Sequence, residues 1–266
     1  MAAVASEAPD WPAWQGSWDR QQRLYLPDRE ERFAAMLDAV EALAGRAPTV
    51  LDLACGPGSI TARLLARFPG ARIVGIDLDP ALLAIARGVF AGDSRACFVE
   101  ADLADPEWTE QIATREVDAV LTATALHWLA EPRLARLYAE LAVVLRPGGI
   151  FCNADHMPDG RDGRITGAVR DLRRRRRAAR PADVPDWDEW WSRAAADPTL
   201  TELVARRDAI FGAASPQATD GGRHPAAVAV FAPPAEWHVA RLREVGFAEA
   251  AMVWRGYDAA MVAALR

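Results

Sequence analysis

The sequence has little of what a disulfide framework, a zinc site or a membrane span would require. Its 266 residues include three cysteines, Cys55, Cys97 and Cys152, which are widely spaced and form no CxxC pair, so neither disulfides nor a zinc site is indicated. No apolar stretch approaches ~20 residues, and no opening segment joins a basic region to an apolar run. We therefore expect a soluble, cytoplasmic protein that does not act at a membrane.

An excess of basic charge is also missing. The formal net charge is −6, with 51% hydrophobic and 26% charged residues, which is typical of a globular chain and argues against a large nucleic-acid surface. One basic run stands out, Arg173 to Arg177. Such a run is more often a solvated helix face than a phosphate-binding surface, so we expect no nucleic-acid partner and leave the role of the run open.

Residues 50–58, VLDLACGPG, are the stretch around which the chain is organised. Apolar residues indicate a buried strand that contains an acid, Asp52, and a helical pattern begins at Ser59. The glycines between them, Gly56 and Gly58, lack the Cβ atoms that would block a ligand, and the helix start offers unpaired N–H groups. This loop is therefore predicted to hold a nucleotide-like cofactor.

A dinucleotide fingerprint would require a third glycine where Thr61 stands, so that match is weak. The whole string VLDLACGPG resembles motif I of the class I S-adenosylmethionine (SAM)-dependent methyltransferases. The resemblance implies SAM as the cofactor, and an acid suits its ammonium and sulfonium groups. It implies these loop contacts: Asp52, Ala54, Cys55, Gly56 and Gly58. The alternative is a tight strand-to-helix turn in an ordinary α/β domain.

Two further acids follow the next strands. Residues 72–77 form a predicted strand ending at Asp77, about twenty residues past the glycine loop, the spacing that places a carboxylate on ribose hydroxyls. We also assign the next residue, Leu78, to cofactor binding. Asp79 is better placed than Asp77 to cap the following helix. After a third predicted strand, the resemblance implies that Asp102 accepts a hydrogen bond from the adenine amino group and that Leu103 packs beside the ring.

The order of the elements predicts the fold. Strands at 117–122 and 150–154 continue the alternation of strands and helices, which indicates a parallel sheet with helices on both faces. Residues 250–254 and 260–265 are expected to form an antiparallel hairpin. We therefore expect an α/β, doubly wound, seven-stranded, mostly parallel sheet. Ligands bind at the carboxyl ends of such strands, where Thr122 lies and where we place a further cofactor contact.

Two segments lie outside this pattern, and we divide the chain into 1–45 (aromatic lid and helix), 46–156 with 234–266 (SAM-binding domain) and 157–233 (a helical substrate cap inserted after strand five). Residues 1–10 are expected to be disordered. The aromatic residues that follow suit either hydrophobic packing or a lid over the cofactor, and the tryptophans of the cap suit either core packing or a pocket wall. We assign Tyr25 to the cofactor. The predicted substrate contacts are Trp14, Trp18, Trp128, Trp187 and Trp191.

Only two histidines are placed to act as acid or base, His127 after strand four and His156 after strand five. A histidine titrates near neutrality and can take a proton from a hydroxyl, an amine or an acidic carbon. The alternative role of His127 is to order its turn. Methyl transfer from SAM does not always need a base, because alignment and desolvation can suffice. A metal-assisted mechanism would require an acid after strand four, where Thr122, Ala123 and Thr124 provide none, so we predict no metal.

The sequence therefore favours a SAM-dependent methyltransferase acting on a small molecule, such as an aromatic compound or secondary metabolite. Two alternatives stay open: methylation of RNA or protein, which would need an open face, and a SAM-binding protein without methyl transfer. An NAD-linked oxidoreductase is the third. The accepting atom, O, N or C, and the oligomeric state are left open.

Overall fold

A computed structural model describes residues 9–112, 116–158, 163–212 and 231–266. Seven strands form one sheet: β1 (Thr49–Leu53), β2 (Arg72–Asp77), β3 (Ala96–Glu100), β4 (Val117–Ala123), β5 (Leu145–His156), β6 (Glu249–Arg255) and β7 (Ala259–Leu265). The helices of the described ranges are α1 (Trp11–Tyr25), α2 (Arg29–Ala44), α3 (Ser59–Arg67), α4 (Pro80–Val89), α5 (Glu131–Val144), α6 (Arg164–Ala178), α7 (Trp187–Ala196), α8 (Thr201–Phe211) and α9 (Ala235–Glu244).

The strand order is β3-β2-β1-β4-β5-β7-β6. The first five strands pair in parallel, and β7 pairs antiparallel with both β5 and β6. This confirms the predicted seven-stranded, mostly parallel α/β sheet with its antiparallel C-terminal hairpin. The chain reverses its direction of winding between β1 and β4, so a topological switch point lies at their carboxyl ends.

Helices cover both faces of the sheet. On one face α2 and α3 bury Phe33, Met36, Leu64 and Phe68 against the strands. On the other face α5 and α9 bury a second set of apolar side chains around Phe151. Burial of one such side chain is worth roughly 1.5–3 kcal/mol, and this double cover holds the strand ends rigidly in place.

Helix α1 is the element that sequence reasoning missed, because the aromatic segment before residue 28 was not expected to be helical. Asp10 caps its start by accepting a hydrogen bond from the Ala13 N–H at 2.9 Å, and a proline stands in the first turn. The prediction of disorder for residues 1–10 falls almost wholly outside the described residues.

Strand β5 begins earlier than predicted. The register passes from Val117 opposite Leu145 to Ala119 opposite Ile150, so residues 146–149 bulge from the ladder. Arg146 Nε donates to Asp118 Oδ1 at 2.5 Å and holds this bulge against β4. Helix α5, which precedes the strand, ends at Val144.

The segment after β5 is helical, as expected, and contributes α6, α7 and α8. Residues 159–162 and 213–230 of the predicted cap lie outside the described part. Helices α7 and α8 share an apolar cluster with α1 and α4, whereas α6 has no buried residue. Among the described helices, none has the length and apolar character needed to cross a membrane.

Candidate active site

The loops after the two central strands contain strained backbone. Ala54, after β1, and Thr124, after β4, have φ values of 52° and 55°, the left-handed region that non-glycine residues rarely adopt. Strain of this kind persists where the surrounding structure requires it and is common at binding sites. Both residues stand at the switch point between β1 and β4, where ligands of such sheets bind.

The glycines of the loop are required for space as well as for conformation. Gly56 and Gly58 have φ values of 55° and 82°. A Cβ on Gly58 would lie 2.8 Å from the Phe90 ring, too close for any other residue. Cys55 is buried beneath the loop, and its N–H donates to the Ile76 carbonyl at 2.9 Å.

Asp77, at the end of β2, holds this loop in place. Its Oδ2 accepts a hydrogen bond from the Gly56 N–H at 2.7 Å, and its Oδ1 accepts from the Asp79 N–H at 2.8 Å. Burial raises the pKa of Asp77, opposed by hydrogen bonds from the Asp79, Gly56 and Leu78 amides. The carboxylate therefore lies beside the glycine loop as the sequence predicted, and its ribose contact stays a prediction.

Asp52 is wholly buried behind the loop. Its Oδ2 accepts a hydrogen bond from the Thr61 hydroxyl at 2.8 Å, while its Oδ1 is buried with no hydrogen-bond partner. Burial raises its pKa to about 7. Thr61, which stands at the third glycine position of the dinucleotide fingerprint, therefore bonds the strand acid. A buried acceptor without a donor suits a cationic ligand, so the residues present fit SAM.

The third acid lies next to the second. Ala101 N–H donates to the Asp77 carbonyl at 3.0 Å, which holds the turn after β3 against the end of β2. In that turn Asp102 Oδ1 accepts from the Ala104 N–H at 2.7 Å. Leu103 is buried in the core. The turn thus supplies one polar and one apolar side chain, as contact with a purine ring requires.

His127 is paired with Asp155, which directly follows the predicted strand 150–154 and was not among the predicted site residues. The His127 Nδ1 lies 2.6 Å from Asp155 Oδ1, and the His127 backbone N–H donates to Asp155 Oδ2 at 3.1 Å. Burial opposes ionisation of Asp155, but the charge and hydrogen bonds of His127, with the His156 amide, hold its pKa below its usual value. An ionised carboxylate on Nδ1 orients the ring so that Nε2 would accept a proton.

The second predicted base, His156, is arranged differently. Its backbone N–H donates to Asp155 Oδ1 at 2.7 Å. Because successive side chains of a strand point to opposite faces, the His156 side chain lies on the other face of β5 from Asp155. Asp155 therefore supports His127 as the proton acceptor rather than His156, whose catalytic role stays a prediction. The signal for the pair was available in the sequence, since His127 and Asp155 each follow a predicted strand of the same parallel sheet.

Four of the five predicted substrate tryptophans lie in one aromatic cluster with Trp190, which we call the tryptophan cluster (Trp14, Trp18, Trp187, Trp190 and Trp191). The Trp18 ring centroid lies 5.0 Å from that of Trp190 and 6.2 Å from that of Trp191. Trp18 and Trp191 are buried, with relative exposures of 8% and 7%. This burial favours core packing for those two. Trp14, Trp187 and Trp128 are half-buried, and a substrate role for them stays a prediction.

Trp128 lies beside the predicted base. Its ring centroid is 5.2 Å from that of His127, and the two residues share a short helical turn, Leu126–Trp128. Thr122, on β4, has a buried hydroxyl without a hydrogen-bond partner, a second unsatisfied polar group at the strand ends.

Helix α1 lies against both the glycine loop and the cap. Gln15 Nε2 donates to the Pro57 carbonyl at 2.6 Å, and Ser59 Oγ donates to Asp19 Oδ1 at 2.7 Å. At the other end of α1, the Tyr25 hydroxyl accepts from the Trp187 N–H at 3.1 Å. Tyr25 thus contacts the cap, and its predicted contact with the cofactor is untested. Within the described ranges, no group of three or more His, Cys, Asp or Glu residues is arranged to hold a metal ion.

Residues 50–149 match the model of a family described as a methyltransferase domain. This match spans the glycine loop, the three acids and the His127 turn. Residues 50–149 therefore carry a methyltransferase domain. The predicted family and its cofactor SAM are thereby confirmed, while the roles of single residues toward SAM stay predictions.

Similar full-length proteins share this domain. The chain is 41% identical over 144 residues to a trans-aconitate 2-methyltransferase of Methylobacterium nodulans, covering 53% of this chain and 50% of the relative. It is 39% identical over 146 residues to the protein of that name from Escherichia coli O139:H28, covering 53% and 52%. The chain thus matches about half the length of these relatives.

Solved structures confirm the fold. Human N-acetylserotonin methyltransferase in complex with SAM superposes with a TM-score of 0.53 at 15% identity, covering 99% of this chain and 60% of that one. A SAM-dependent methyltransferase from Aquifex aeolicus gives 0.51 at 16% identity, covering 90% and 93%. At such identities the likeness concerns the fold alone.

Proposed function

We propose that this protein transfers the methyl group of SAM to a small molecule held at the carboxyl ends of β4 and β5. The observation that carries the proposal is the position of the His127–Asp155 pair. It stands at the carboxyl ends of β4 and β5, and β4 is the neighbour of β1, whose end leads into the glycine loop. The candidate proton acceptor and the cofactor loop therefore lie at the same edge of the sheet.

Three acids of this chain are assigned to binding. Asp52 Oδ1 is placed to accept from the cofactor ammonium, Asp77 to hold the ribose, and Asp102 with Leu103 to hold the adenine. When bound, SAM supplies a methyl group on a sulfonium, a good leaving group. The protein then contributes alignment and exclusion of water, effects that can be worth several kcal/mol in a well-oriented site.

His127 acts only where the acceptor has a proton to lose. Asp155 holds Nδ1, so Nε2 takes the proton from a hydroxyl or an amine as the new bond forms. An acceptor carboxylate is already ionised at neutral pH, and His127 would then serve to order its turn. The pH dependence of the reaction therefore distinguishes the two acceptor classes.

The relatives' name makes trans-aconitate the first acceptor to test. We favour a small molecule over RNA or protein because the relatives are named for a small-molecule acceptor, and helices α7 and α8 of the proposed cap pack against α1 and α4. We keep the division into a lid at 1–45, a SAM-binding domain at 46–156 with 234–266 and a cap at 157–233 as part of the proposal. A cytoplasmic location stays a prediction.

The test combines binding with transfer. Calorimetry measures SAM affinity, and labelled SAM reports transfer to trans-aconitate and to a panel of small carboxylic acids, phenols and amines. We expect binding together with label in at least one small-molecule product. Binding without label in any product, across the panel and a cell extract, would establish a SAM-binding protein instead.

A further inference from the structure

Arg32, in the first turn of α2, has a buried guanidinium that the protein only partly satisfies. Its Nη2 donates to Asp28 Oδ1 at 2.7 Å, and its side chain is 5% exposed. Its Nε and Nη1 are also buried and have no hydrogen-bond partner. An arginine carries five N–H donors and no acceptor, and a buried charged donor left without an acceptor is costly.

The charges around Arg32 are unbalanced. Arg173 of α6 also approaches Asp28, with its Nη2 3.9 Å from Asp28 Oδ2, so two guanidiniums share one carboxylate. Burial lowers the pKa of Arg32, and the charge of Arg173 lowers it further, while Asp28 and Asp155 oppose both effects. Asp155 is paired with His127. Arg32, Arg173 and Asp28 by themselves carry one net positive charge.

Asp28 lies close to the turn between β6 and β7, since a Cβ added to Gly256 would stand 3.0 Å from Asp28 Oδ2. The Trp254 ring covers the guanidinium, with Arg32 Cζ 5.1 Å from the ring centroid. The unsatisfied N–H groups are thus held in place.

The position of Arg32 relates these donors to the reaction centre. Helix α2 packs on β5, and Arg32 lies over Trp254, which stands opposite Met261 of β7, as does Ala154 of β5. Arg32 therefore lies near the carboxyl end of β5, where the acceptor is proposed to bind.

We infer that Arg32 binds a carboxylate of the methyl acceptor through the N–H groups that Asp28 leaves unbonded. The inference rests on the proposed function and specifies its substrate class, a carboxylic acid. A single negative charge balances Arg32, Arg173 and Asp28, and a guanidinium is well suited to a carboxylate.

The test uses the full chain saturated with S-adenosylhomocysteine. Calorimetry compares the binding of three acids, trans-aconitate, succinate and benzoate, with the binding of their fully methylated esters. We expect at least one acid to bind more tightly than its ester, and Arg32→Lys to weaken that acid by about 10–100-fold, the scale of one charged hydrogen bond. Ester binding should not change. Arg46→Lys is the matched control, since Arg46 is exposed and paired with Glu41.

Two results would overturn the inference. One is a wild-type protein that binds none of the three acids more tightly than its ester. The other is an Arg32→Lys protein that keeps the preference for acids over esters. An Arg32→Lys protein that binds acid, ester and cofactor more weakly and also melts at a lower temperature would equally show a structural role for Arg32. Arg32→Gln provides a second variant of similar length.

The two proposals fail separately. If acids bind at Arg32 but labelled SAM transfers no methyl group, the proposed function is wrong and the anion site stands. If methyl transfer proceeds and Arg32→Lys leaves the KM for carboxylate acceptors unchanged, the anion site is wrong and the methyltransferase stands.

Discussion

Arg207 of α8 and Asp79 at the end of β2 form a buried ion pair, with Arg207 Nε 2.9 Å from Asp79 Oδ2 and side-chain exposures of 6% and 7%. The Asp79 carboxylate also caps α4 by accepting from the Ala81 N–H at 2.9 Å. The same guanidinium lies over Trp191, 3.8 Å from the ring centroid. One ion pair therefore joins the tryptophan cluster to the loop that carries Asp77.

Replacing Arg207 by Met should destabilise the protein by about 3–5 kcal/mol at pH 8, because Asp79 would keep a buried charge without a partner. Burial and the charge of Asp77 already raise the pKa of Asp79 to about 6 despite Arg207. A carboxyl whose folded pKa is raised loses its stabilising contribution as pH rises through that value. The loss should therefore be smaller at pH 5, as measured by urea unfolding.

Arg206→Met is the control for this variant, since Arg206 is half-exposed and pairs with Glu100 at the surface. It should change stability by less than about 1 kcal/mol. An equal loss in both variants, or a loss in Arg207→Met that does not depend on pH, would contradict the role of the buried pair.

Asp52→Asn should stabilise the ligand-free protein at high pH and weaken cofactor binding. Burial raises the pKa of Asp52 to about 7, so wild-type stability falls as pH rises from about 4 through 7, by up to about 4 kcal/mol. The amide removes this penalty, and the variant should match wild type at pH 4 and exceed it at pH 8. Calorimetry should show weaker SAM binding. The same stability difference at both pH values would mean that Asp52 is not desolvated.

Asp77→Ala should weaken SAM binding by about 1.5–3 kcal/mol, the scale for losing a charged hydrogen-bond partner. It also releases the Gly56 N–H, so Asp77→Asn, which keeps an oxygen for that bond, separates loop order from ribose contact. Asp38→Ala, at an exposed carboxylate paired with Arg67, is the control. Unchanged affinity by calorimetry in Asp77→Ala would remove Asp77 from the ribose.

His127→Ala has three distinguishable outcomes in single-turnover rates measured against pH. A general base predicts a rate loss of ~10²–10⁴ and loss of the acid limb, with SAM affinity intact. A residue that orders its turn predicts that SAM affinity and melting temperature fall together while the limb survives. Catalysis by alignment alone predicts a modest loss and no change in pH dependence. If the acceptor is a carboxylate, we expect the pH–rate profile of the wild-type enzyme to lack this acid limb as well.

The sheet and its cofactor loop could be predicted because their signals are local. Asp77 and Asp102 lie within a few residues of the strands that they follow. The alternation of strands and helices along the sequence predicts the parallel sheet itself. The unpredicted features depend on distant partners. Helix α1 has its apolar face against α7, more than 160 residues later, and Arg207 meets Asp79 across 128 residues. Asp155 directly follows the predicted strand 150–154, but its contact with His127 depends on the fold.

The tryptophan cluster also sets where this chain can be recombined with a relative. Trp190 Nε1 donates to Ser17 Oγ at 2.9 Å, and the indoles of α1 and α7 pack edge to face. A hybrid that takes only residues 9–25, or only residues 181–212, from a relative would pack one half of the tryptophan cluster against side chains that do not fit it. Residues 9–25 and 181–212 should therefore be exchanged together, although 155 residues of chain lie between them. A hybrid that folds should take both stretches from the same parent protein.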